Sequence, residues 1–130
     1  MSVALTEAAV VERRKTVSRR LGWRTLTPGT PLTLVRKSMG RHNRVTGITE
    51  PLVRIAEVEV VSVRRERLDA ITYDDVIREG FTPADLALWR SDNEHDLSLA
   101  SRFVAYFCEH MRCEPSTEVT RIEWAYTDAK

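Results

Sequence analysis

The sequence has only two cysteines in 130 residues, Cys108 and Cys113. That is too few for the disulfide framework of a small secreted domain, and they read as reduced thiols. It has no apolar run near the roughly 18 residues that cross a bilayer. Its start, MSVALTEAAVVERR, sets acids beside a short apolar patch instead of the basic region and small-residue cleavage site of a secretory signal. A cytoplasmic protein that makes no use of a membrane is therefore expected. Neither G-x-G-x-x-G nor G-x-x-x-x-G-K-[ST] occurs, which counts against dinucleotide and P-loop chemistry. There is no internal repeat and no low-complexity tract. The one His/Cys grouping, CEHMRC, offers Cys108, His110 and Cys113. Cys108 falls on the apolar face of a helix while His110 points away, and no second pair completes a tetrahedron. No metal and no other cofactor is expected.

What is present is an ordinary globular composition, 42% hydrophobic and 30% charged, far from the signature of disorder. The length suits one domain, residues 1–130, able to bury a core without staples. The net charge of +1 conceals a division. Residues 1–44 carry ten Lys/Arg against Glu7 and Glu12, and residues 45–130 carry ten Lys/Arg against seventeen Asp/Glu. The densest stretch is RRKTVSRRL, Arg13 to Leu21, with five cations in nine residues. Such a cluster concentrates potential and favours an anionic ligand; alternatively, the two halves fold together and neutralise each other.

The patterning places these residues on elements. Thr6 is a candidate cap for a short helix through EAAVVERR. KTVSRR reads as extended or as a bulged turn, TPGTP as a turn, and LTLVRK, Leu32 to Lys37, as a strand. GRHNRVTG is a polar loop. PLVRIAEVEVVSVRRERL then alternates as one long strand, bent where the alternation slips. Thr72 with Asp75 forms a capping arrangement for YDDVIREG, which Gly80 ends; Thr82, Pro83 and Asp85 repeat the device. RSDNEHD is a polar connection. In LSLASRFVAYFCEHM the positions Leu97, Ala100, Phe103, Val104, Phe107, Cys108 and Met111 share one face, which makes this the core helix. TEVTRIEWAY closes the chain as a strand. Helices segregated from antiparallel strands give an α+β fold.

This order, with RRKTVSRRL, PGTPLTLVRK, VRRERLDAIT, DDVIREGF, FVAYFCEHM and VTRIEWAY, resembles the ASCH domain family of the PUA-like superfamily over nearly the whole chain. It is most similar to short stand-alone members from actinobacteria and their phages. The family signature is G-x-K-x-x-E-x-R; Lys15 and Arg20 fall on its Lys and Arg, Arg13 stands in place of Gly, and Ser18 in place of Glu, where many stand-alone members carry Thr or Ser. The resemblance implies a partly closed antiparallel β-barrel of five to six strands with flanking helices. It also implies a basic cleft that binds RNA, another single-stranded nucleic acid or a modified nucleoside. Some small members of this layout are amidohydrolases acting on N4-acylated cytidine. Carried over by position, their Lys, Thr and Glu fall on Lys15, Ser18 and Glu79.

Ligand contacts are expected from Arg13, Arg14, Lys15, Arg19, Arg20, Arg36 and Lys37, with Trp23 to stack a base or to pack in the core. Trp124 and Tyr126 are expected in the core. Glu79 either acts as an acid or pairs with an arginine such as Arg20, and Ser18 either acts as a nucleophile or satisfies a turn. Residues three apart point oppositely on a flat strand, so a site shared by Lys15 and Ser18 requires a bulge at Val17. Binding ranks first because it needs only the charge cluster, hydrolysis second. A regulatory module of phage or host that binds a protein partner through its acidic half is third. The oligomeric state is not legible.

Overall fold

The computed structural model describes residues 1–36, 52–91, 93 and 95–128. Lys37, the GRHNRVTG loop and part of the RSDNEHD connection lie outside them. A one-turn 3-10 helix, Ala4–Thr6, leads into α1, Glu7–Val11; then come β1, Val17–Arg20, β2, Pro31–Val35, and β3, Arg54–Arg67. After a second 3-10 turn follow α2, Tyr73–Arg78, a third 3-10 turn at Ala84–Leu86, α3, Leu99–Met111, and β4, Glu118–Tyr126. No helix among the described residues is long and apolar enough to cross a membrane.

The strands form one antiparallel sheet in the order β1-β4-β3-β2, curled into a half-barrel. The described residues give four strands rather than five to six. Residues 54–67 run as one 14-residue strand, bent where its pairing with β4 slips between Val60 and Ser62. An extra residue on one strand bends it and raises its twist, and the slip falls where the sequence alternation breaks.

β4 lies between β1 and β3, and this explains its imperfect alternation. Ile122 and Trp124 point to one face, where they join Val3, Val10, Leu34, Ala56, Val58 and Val60. Val119 points to the other and joins Leu68, Val76, Phe103, Val104 and Phe107 beneath α2 and α3. A strand buried on both faces has no wet side on which polar residues could alternate. Tyr126 packs beside the first cluster.

The helices follow the sequence with corrections in α1 and α3. Thr72 Oγ1 accepts from Asp75 N as expected, and Ser98 Oγ, a cap not anticipated, accepts from Ser101 N at the start of α3. Thr6 makes no side-chain cap, because α1 is entered directly from the preceding 3-10 turn. Leu97 and Met111 do not share the buried face of α3. Leu97 precedes the capping Ser98, and Met111 ends the helix at 41% exposure.

Candidate functional site

The basic motif begins where α1 stops. Arg13 takes φ +62° and its N–H returns to the Val10 carbonyl. This left-handed conformation ends a helix and ordinarily calls for glycine. Arg13 thus holds a backbone geometry that glycine would adopt more readily. The turn carries Lys15 under α1. Its N–H bonds the Ala9 carbonyl, its carbonyl accepts from the Tyr126 hydroxyl, and the next N–H, of Thr16, bonds the carbonyl of Arg78 at the end of α2.

Gly80 brings Glu79 to the same place. Its φ is +99°, and a Cβ there would lie 2.7 Å from the Ala9 Cβ and 3.3 Å from the Lys15 Cβ. Only a residue without a side chain allows this approach. The Lys15 ammonium consequently donates to the Glu79 carbonyl at 2.7 Å and to its carboxylate at 3.2 Å, and both side chains are almost wholly buried.

Arg19 continues the network on the helix-facing side of β1. It donates to Glu79 at 3.3 Å, Glu66 at 2.7 Å and Asp75 at 2.6 Å, and its Nε is buried with no partner among the described residues. Its cross-strand neighbour Arg121 holds Asp75 through two bonds, 2.7 and 3.0 Å. These two guanidinium groups, Arg121 first, hold the Asp75 carboxyl well below the usual carboxylate range. Burial pushes the Lys15 ammonium below its ordinary value; the Glu79 charge opposes that shift, while Arg20 and Arg19 add to it. A charged pair taken out of water recovers its solvation cost only when its hydrogen bonds are well satisfied.

Much of the basic half is therefore neutralised by the acidic half across the fold. Arg13 pairs with Asp128 and lies over the Tyr126 ring at 4.8 Å, while Arg14 pairs within its own half with Glu12. Of the five cations in RRKTVSRRL, Arg20 is the one with no carboxylate partner among the described residues. Its Nε donates to Ser18 Oγ at 3.1 Å and its Nη2 to the Ser2 carbonyl. The Glu79 carboxylate hydrogen-bonds Lys15 and Arg19, whereas Arg20, which leaves β1 on the face opposite Arg19, feels its charge only at longer range.

A cavity of about 190 Å³ lies along the edge of β1, with lining residues from both faces of that strand. Its polar lining comes from Lys15, Ser18, Arg19, Arg20 and Glu79, its apolar lining from Phe81, Phe103, Tyr106, Phe107 and Met111, and residues Ser2 to Thr6 complete it. No bulge at Val17 is needed. β1 pairs regularly with β4 from Val17 onward, and Lys15 reaches the cavity because it precedes the strand. Of the other expected contacts, those among the described residues lie elsewhere. Arg13 and Arg14 are held in their own pairs, Arg36 forms a two-bond pair with Glu7, and Lys37 is outside the described residues. Trp23 sits in the loop after β1 at φ +61° and 41% exposure, so it is not core.

The sequence reading missed the aromatic wall. Phe103 and Phe107 were legible as the buried face of a helix, yet nothing local marks that face as bordering a cavity. Tyr106 and Met111 carried no signal beyond helical spacing. Glu66 and Arg121, which complete the ion network, appeared only as residues of alternating strands.

No protein-family model matches the sequence, and no curated protein matches it. Two solved structures share its fold. One is a protein of Enterococcus faecalis assigned to the DUF984 family, 13% identical, with a TM-score of 0.53 over 94% of this chain and 66% of that one. The other is an ASCH domain from Lactobacillus crispatus, 16% identical, with a TM-score of 0.50 over 94% of this chain and 70% of that one. The chain thus spans about two thirds of the length of these structures. The fold is ASCH-type.

Proposed function

Starting from this ASCH-type fold, we propose that the protein is a module that seats one nucleobase, of a single-stranded RNA or of a free modified nucleoside, in the cavity beside β1. The observation that carries the reading is the lining of that cavity, which brings the rings of Phe81, Phe103, Tyr106 and Phe107 together with donors and acceptors of Lys15, Ser18, Arg20 and Glu79. Aromatic side chains stack on any base, and fixed polar groups read its edge. At about 190 Å³ the cavity is smaller than the roughly 300–1,000 Å³ of drug-sized ligand sites, which suits a single ring better than a strand. Because Lys15 and Arg19 are spent on internal carboxylates, few phosphates would be neutralised, and affinity should fall only gently with salt.

Calorimetric titration with cytidine, N4-acetylcytidine and short RNA and DNA strands at low and moderate salt tests this. Saturable binding that weakens in Phe107→Ala supports it. Absence of binding by every nucleoside and oligonucleotide at low salt overturns it.

A second reading is favoured by the downward shift of the Lys15 ammonium in the same cavity as Ser18. In it the protein hydrolyses an N-acylated nucleoside. Lys15, once neutral, takes the Ser18 proton as Oγ attacks the amide carbonyl. The C–N bond then breaks as the leaving amine gains the proton that Lys15 took, passed on through the Glu79 carboxylate bonded to it, and water releases the acyl group from Ser18. Loss of N4-acetylcytidine absorbance, abolished in Lys15→Ala, is its test; an unchanged spectrum after prolonged incubation rules it out.

A further inference from the structure

α3 ends where Arg112 takes φ 52° and ψ 56°. Its N–H and that of Cys113 both turn back to the Cys108 carbonyl, the second at 3.3 Å. This is the closure by which a helix satisfies its last carbonyls, and it brings the residue after the left-handed position against the residue five before it. Two apolar side chains usually meet there. Here both are cysteine, with sulfurs 4.0 Å apart. Both are half-buried thiols, and both line a surface recess of about 390 Å³ with Trp89, Arg90 and Val104.

We infer that Cys108 and Cys113 form a redox-modification site, an intramolecular disulfide across the C-terminal closure of α3, made by exchange with a low-molecular-weight disulfide of the glutathione type. One cysteine thiolate attacks the small disulfide, forming a mixed disulfide and releasing one thiol. The other cysteine then attacks the protein sulfur of that bond and expels the second thiol. Two protein thiols lose two electrons and two protons, and one small disulfide becomes two thiols. The backbone bond from Cys113 to Cys108 keeps the two residues together, so side-chain rotation is what must bring 4.0 Å to the roughly 2.05 Å of a disulfide. Two thiols in contact also have a high effective concentration for one another, which favours resolution over a lasting mixed disulfide. The bond pins the last turn of α3 to the loop that enters β4.

The test equilibrates the protein in buffers of increasing oxidised-to-reduced glutathione ratio, then quenches with an alkylating reagent and measures intact mass. The expected result is loss of both alkylatable thiols together, with a mass decrease of about 2 Da before alkylation, independent of protein concentration and reversed by dithiothreitol. Cys113→Ser and Cys108→Ser should each stop at one glutathione adduct, and the wild-type measurement stands by itself if either variant fails to fold. Retention of both thiols in oxidised glutathione alone overturns the inference, as does accumulation of unresolved adducts or of covalent dimers.

Discussion

Lys15 and Glu79, 64 residues apart in sequence, are joined twice: the ammonium donates to the Glu79 carbonyl at 2.7 Å and to the Glu79 carboxylate at 3.2 Å. The pair ties the end of α2 to the turn after α1 and places a buried cation at the rim of the cavity. Removing Lys15 leaves the buried Glu79 carboxylate with Arg19 alone, at 3.3 Å. Lys15→Ala should lower unfolding free energy by up to about 3–5 kcal/mol in a urea titration. Lys15→Met combined with Glu79→Gln should recover part of that loss. A double variant no more stable than Lys15→Ala would show that the pair itself is not the source of the cost.

Arg13 offers a backbone test. Its φ of +62° carries a penalty of about 1–2 kcal/mol for a residue with a side chain. Arg13→Gly removes that penalty while losing the Asp128 pair and the contact with Tyr126, so its melting temperature should stay within a few degrees of wild type. Arg13→Val, with a branched side chain in the same conformation, should melt distinctly lower than Arg13→Gly. Equal melting temperatures would contradict this account of the turn.

At Gly80 both a positive φ and a close approach exclude a side chain. Gly80→Ala should destabilise by about 2–5 kcal/mol, from the left-handed backbone together with overpacking against Ala9. Displacing Glu79 should also weaken any ligand held in the cavity. A variant of wild-type stability would mean that α1 moves aside at no cost.

Asp75 governs the acid limb of stability. Its folded pKa lies below the ordinary 3.8, so the stabilisation is complete above that value and is lost as pH falls through the depressed folded value. The urea midpoint should therefore drop as pH is lowered from 4 toward 2. Asp75→Asn, less stable at neutral pH because Arg19 and Arg121 each lose one of the carboxylates that pair with them, should show a smaller drop over the same range. Parallel pH curves for the two proteins would remove Asp75 from the account.

Ser18 separates the two functional readings. Its hydroxyl accepts from Arg20 within the cavity. If the protein only binds, Ser18→Ala should weaken nucleoside affinity by about tenfold or less, the worth of one hydrogen bond. If it hydrolyses, the same change should abolish turnover while leaving affinity within that range. Turnover that persists in Ser18→Ala would exclude Ser18 as nucleophile.

Several features were fixed by the chain itself. Gly80, the Thr72 and Ser98 caps, the amphipathic spacing of α3 and the slip in β3 are local facts, because helix ends, turns and bulges depend on neighbouring dihedrals and side chains. The charge division was equally plain in the sequence, as was the resemblance that selected Lys15, Ser18 and Glu79. Tertiary structure decided what those charges do. Asp75 reads locally as a capping acid like Asp85, and Asp85 does accept from the Thr82 N–H. The Asp75 carboxylate instead turns to Arg19 and Arg121, because the sheet delivers two guanidinium groups to that point. Within the cation cluster Lys15 and Arg19 became part of a buried, neutralised network with Arg20 left at the cavity, an outcome set by which strand neighbours which. Strand order depends on contacts between residues tens of positions apart, and no window of sequence contains the long-range desolvation and pairing energies that choose among them.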